Sequence, residues 1–253
     1  MKVLGYEFSD RFEAFFEELL DSLGLEIVFL PMSEHPNQSQ YGKAHGTTLL
    51  SEDGKTLRVF LNPDCFDQYP KEKRDGVAES IAVHEILHEG TKAQGFPEVQ
   101  GADVYAELTE WFTNLFHHRV INVEMDRLGF DYSVQDRKVA KDFLDWLSSE
   151  APNGQVQTLE GDRKQLFSIV LAEMRNRFTK EEYVSAVPYF AFSNTEVFNT
   201  AQLCADAIDE SRCWEKPMVM FEIMSVVRKL LGLEANILDF KNPETGEWTE
   251  DST

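Results

Sequence analysis

Two histidines four positions apart, with a glutamate after the first, form His84-Glu85-Ile86-Leu87-His88, the H-E-x-x-H pattern of zinc metallopeptidases. On an α-helix residues i and i+4 share one face, so both imidazoles can reach a single ion. Glu85 stands one position round from that face, near enough to take a proton from a water at the metal without binding it. A pattern with three fixed positions also arises by chance in unrelated helices, so the rest of the chain has to supply a third ligand.

Zinc in a hydrolytic site takes three protein ligands and keeps one position open. The extended pattern would need a glycine three and a histidine six residues after His88, where this chain has Thr91 and Gln94. That class is excluded. Glu107, nineteen positions beyond His88 and past a Gly95/Pro97 break, is the first choice, because a helix, a turn and one turn of the next helix can return a carboxylate to the metal. Glu110, one helical turn later, is its main competitor, while Glu124 and Asp126 lie farther along. With 45 acidic residues in the chain, a solvated helix face is the competing reading for any one of them.

His118 follows Glu107 by eleven residues, about 16 Å along a straight helix, so the two do not share one metal without a bend. His117 and His118 read as surface or helix-end histidines, with substrate contact as the alternative. His35 and His45 fall in a polar loop and carry no spacing signal. Tyr105 is a candidate hydrogen-bond donor to a developing oxyanion, although tyrosines in such helices more often pack.

The elements that would position these residues can be read from periodicity. Phe12, Phe15, Phe16, Leu19, Leu20 and Leu23 recur at helical spacing between a Ser9 or Asp10 cap and Gly24. Residues 25–30 form a short apolar run ending at Pro31, hence a strand, and 33–46 is loop. Runs 47–50 and 56–61 flank Asp53-Gly54, a hairpin signal. Pro70 can open the next helix, which carries the motif and stops at Gly95 and Pro97. Asp103 is a cap for a helix holding Glu107, Trp111 and His118. Beyond a boundary near 132/133 the spacing predicts helices over 136–147, 162–178, 195–209 and 216–231, with a breaker-rich connector at 151–161 and an acidic tail over 241–253.

The chain of 253 residues is 42% hydrophobic and 12% aromatic, which predicts a folded protein with a real core. No apolar run is long enough to cross a bilayer, and the first residues lack the features of a signal peptide. Cys65, Cys204 and Cys213, an odd number at no metal-ligand spacing, read as reduced thiols in a cytosolic protein. The formal net charge of −21 argues against direct nucleic-acid binding through a basic patch. It fits a generic acidic surface, or an acidic mimic that occupies basic sites on other proteins, as would suit a host–virus setting.

The order strand, hairpin, Arg74, His84-Glu85-x-x-His88, then Glu107-x-x-x-x-Phe112 resembles the compact gluzincin-type zincins. Among these it is most similar to the ImmA/IrrE-like metallopeptidases and the zincin domain of ArdC-type antirestriction proteins. The resemblance covers residues 10–125; Ile86-Leu87 stands where relatives usually have Leu-Gly, which bears on the cleft more than on the metal. It implies a small twisted sheet packed on the motif helix, Zn²⁺ held by His84, His88 and Glu107, Glu85 as catalytic base, and a protein or peptide substrate. The expectation is therefore an α+β chain: a zincin-like domain over 1–132, an all-helical region over 133–240 offering a surface for a protein partner, and the acidic tail. The rival expectation is an acidic interaction or inhibitor protein, a nucleic-acid mimic or viral assembly component, on a zincin scaffold whose metal has no catalytic role.

Overall fold

In the computed structural model the described residues are 1–249, apart from 43, 152, 153, 155, 192 and 234–236. The chain is α+β and divides into two compact units: Met1–Ala93 with Ile121–Gln135, and Gln94–Val120 with Asp136–Thr253. The chain crosses between the units at 93/94, 120/121 and 135/136, so that 94–120 joins the later helices. No helix among the described residues is long and apolar enough to cross a membrane.

The first unit opens with β1 (Lys2–Val3) and β2 (Tyr6–Glu7), an antiparallel pair closed at Leu4-Gly5. Both turn residues have positive φ, 50° at Leu4 and 98° at Gly5. Sequence spacing does not announce this turn, because a leucine rarely takes that conformation. α1 (Asp10–Leu23) is capped by Ser9, whose hydroxyl accepts from the Phe12 amide, and stops at Gly24 with φ 61°. Its apolar stripe drives Phe12 fully into the core, where the ring meets Phe8, Phe16 and Phe29.

β3 (Glu26–Pro31), the single helical turn α2 (Gln38–Tyr41), β4 (Gly46–Leu50) and β5 (Thr56–Leu61) follow. The sheet order is β3-β5-β4. Central β5 runs parallel to β3, with Val28 opposite Arg58, and antiparallel to β4, with Thr48 opposite Val59. The expected hairpin forms, turning through Gly54 at φ 68°. Leu57, Val59 and Leu61 alternate onto the buried face. Just before α3 (Pro63–Phe66), Asn62 anchors the loop ahead of β4 by donating to the carbonyls of Gly42 at 2.9 Å and Ala44 at 3.0 Å.

α4 (Arg74–Ala93) is the motif helix. Arg74 ties its start to the preceding connector by donating to the carbonyls of Tyr69 at 3.0 Å and Asp67 at 2.8 Å. Every residue from Ser80 to Leu87 is buried, and the helix packs on β4, β5 and α1. Glu79 accepts from the Ser9 amide and hydroxyl, which fixes α4 to the capped end of α1. Residues 121–128, the last turns of α5 (Ala106–Leu128), complete this unit by placing Ile121 and Met125 in its core.

The second unit holds the earlier part of α5, then α6 (Ser133–Glu150) from Asp136 onward, α7 (Asp162–Arg177), α8 (Lys180–Ala191), α9 (Thr195–Ser211) and α10 (Pro217–Leu230). α7 packs on α9, which also meets α8 and α10. This region is not all-helical. β6 (Val99–Gly101) pairs antiparallel with β7 (Leu238–Phe240), Val99 opposite Phe240. Three-residue strands so far apart in the chain leave no alternating run to read. Part of the expected acidic tail also folds: Lys241 bridges to Trp248, and the Thr249 amide donates to the Phe240 carbonyl at 2.9 Å. Residues 250–253 lie outside the described residues.

Candidate metal centre

α4 delivers the motif as the spacing requires. His84 is 2% exposed, His88 half-buried, and their ring centroids stand 5.1 Å apart. Glu85 is buried and lies against the start of β4. A methyl group at position 46 would stand 2.8 Å from Glu85 Cγ and 2.8 Å from Ile81 Cγ2. Glycine at this strand position is what lets the glutamate approach the backbone. The sequence put Gly46 at the end of a loop, and nothing local marked it as the partner of a motif residue.

His118 lies on α5, one turn before Ile121, so it shares the helical face that carries Ile121 and Met125. It is buried, contrary to its reading as a surface or helix-end residue. Within the first unit the two motif imidazoles share one face of α4 and offer two of the three protein ligands that zinc takes in a hydrolytic site, with Glu85 beside them as the general-base candidate.

His118 has a fixed environment. Its Nδ1 stands 2.6 Å from Glu173 Oε1, and the same oxygen accepts from Arg177 Nε at 2.7 Å. Arg177 Nη2 lies against the ring, 3.2 Å from Nε2, and Arg177 Nη1 is 3.5 Å from Asp136 Oδ1. Burial first, then the guanidinium of Arg177 and the neighbouring His117, holds the His118 pKa well below its ordinary 6.5. The ring is therefore neutral near pH 7, the form that ligates metals. His117 is also buried, with Nε2 2.9 Å from the Pro97 carbonyl, so it must donate there and tethers the loop after α4.

The remaining expected residues lie at the start of α5. Glu107 and Glu110 are solvent-exposed in its first turns, and Tyr105 is half-buried in the turn just before. The Glu110 pKa is raised, by loss of hydration and then by the like charge of Glu107. Glu173 and Arg177 escaped the sequence reading, although one signal was present: Glu173 interrupts the otherwise apolar run of α7, where Ile169 to Met174 is buried throughout. No family model matches the chain, and no curated protein or solved structure matches it.

Proposed function

We propose that this chain is a zinc-dependent peptidase of zincin type with His84 and His88 as metal ligands. The observation that carries the reading is the pairing of those two imidazoles on the enclosed helix α4, ring centroids 5.1 Å apart, with Glu85 beside them. The three-stranded sheet over α4, with β4 antiparallel at its edge, supports the zincin reading.

A zinc ion held there supplies Lewis acidity, which polarises a carbonyl and acidifies water. Glu85 accepts the proton of the attacking water and delivers it to the leaving amine. β4 is an edge strand, so an extended peptide can add to it by main-chain hydrogen bonds. Because Gly46 adjoins Glu85, such a peptide would pass beside the general base.

Metal analysis of the purified chain should find one zinc per molecule, and His84→Ala should lose it. Glu85→Gln should retain the zinc and lower turnover of a quenched fluorescent peptide library by about 10²–10⁴-fold. Absence of zinc from the parent would overturn the proposal. The net charge of −21 favours a second reading, an acidic protein that binds basic partners on this scaffold. Partner binding that survives Glu85→Gln unaltered, in a parent without peptidase activity, would establish that reading.

A further inference from the structure

We infer that Asn62 is a positioning residue for the general base: by tying down the residues that lead into β4 it holds Gly46 against Glu85, and so sets where that carboxylate stands. The inference rests on the reading of Glu85 as the base of a peptidase and adds a residue that keeps it in place.

Asn62 directly follows the last residue of β5 and is 5% exposed. It precedes Pro63 at the start of α3, where an asparagine ordinarily caps the helix through its side-chain oxygen. Here the side chain makes no capping bond. Its amide reaches across to the strand that β5 pairs with: Nδ2 donates to the carbonyls of Gly42 at 2.9 Å and Ala44 at 3.0 Å. The backbone N–H of Asn62 donates to the His45 carbonyl at 2.8 Å. Three carbonyls just ahead of Gly46 thus accept from one residue, and helix capping does not account for that.

The pairing of β4 with β5 begins at Gly46, opposite Leu61, and β4 lies at the edge of its sheet. The place of Gly46 is therefore set from the β5 side, by Leu61 and by the Asn62 bonds just beyond it. That place matters to Glu85, because a Cβ on Gly46 would stand 2.8 Å from Glu85 Cγ and 3.3 Å from its Cδ. At so close an approach a displaced strand displaces the side chain, since packed interiors transmit strain. A general base has to lie within hydrogen-bond reach of the proton it takes, and a misplacement of about 1 Å can cost on the order of 100-fold in rate.

The test is a double-mutant cycle in the full chain, with zinc content and urea unfolding measured beside turnover of a quenched fluorescent peptide. Asn62→Ala removes both side-chain donors and should lower kcat by about 10–100-fold, with KM changed by less than about two-fold. Its zinc content should match the parent's. In a Glu85→Gln background the same change should cost less than about two-fold, because a base already removed cannot be misplaced. A merely structural contribution would lower both backgrounds alike. Asn62→Ser keeps one shorter donor and should show a smaller loss with the same pattern; it supplies the reading if alanine prevents folding. Equal fold-losses in the two backgrounds, or Asn62 variants as active as the parent, would overturn this inference alone. A parent without turnover, or one whose turnover survives Glu85→Gln, would overturn the peptidase reading beneath it and this inference with it.

Discussion

α4 and α7 are both enclosed on nearly all sides, and each carries ionisable side chains at positions i and i+4. On α4 the pair is His84 and His88; on α7 it is Glu173 and Arg177. The first pair is two copies of one group. The two imidazoles meet edge to face, and identical groups at this spacing suit a shared ligand, so the motif can be read from five residues. In the second pair the two groups attract each other, Arg177 Nε donating to Glu173 Oε1 at 2.7 Å. Glu and Arg at this spacing are among the commonest stabilising pairs on helix surfaces, so only the apolar residues flanking Glu173 hint at burial, and nothing local points to the histidine from α5. A site advertises itself when its residues need something further, and it hides when they complete one another.

If that contrast is right, the two helices should fail differently. The largest effect is expected on α7. Arg177→Met leaves the carboxylate of Glu173 buried without its counter-ion and should cost about 3–5 kcal/mol in urea unfolding, whereas Glu173→Leu combined with Arg177→Met should recover most of that loss. Equal losses for the single and double variants would mean that the pair is not self-contained.

The next effect is a pH dependence confined to the same cluster. Burial first, and then the charge of Glu173, raises the Asp136 pKa from 3.8 to about 6, against the opposing pull of Arg177. A carboxyl with a raised folded pKa stabilises the fold fully below its unfolded value and loses that contribution as pH rises through the folded value. Asp136→Asn cannot ionise, so its stability relative to the parent should improve between pH 4 and 7, by at most roughly 3 kcal/mol. Unfolding curves at several pH values would check this, and a flat difference would refute the burial argument.

Smaller effects are expected on α4. Gly46→Ala should push Glu85 off its place and lower peptide turnover by about ten-fold, or about 1.4 kcal/mol, with zinc content unchanged.

What could be read from the sequence follows the same division between local and distant causes. The Ser9 cap, the Asp53-Gly54 hairpin and the motif helix each depend on residues within a few positions, and each appears as expected. The β1–β2 turn was missed because Leu4 takes a positive φ that its type disfavours. α8 was missed because Pro188 lies inside it and argues against a helix there. His118 was weighed and set aside because its burial and its acceptor depend on Ile121 within α5 and on Glu173 far along the chain. Gly46 was seen only as a loop residue, since its purpose lies across the sheet face in Glu85.

The pairing of β6 with β7 has a consequence for how the protein is made. Val99 meets Phe240, so about 140 residues must be synthesised after one strand before its partner exists, which at roughly 5–20 residues per second takes on the order of ten to thirty seconds. Throughout that interval β6 has an open edge while the helices between emerge one after another. The nascent chain therefore depends on those helices, or on a chaperone, to shield residues 99–101 until the last strand arrives.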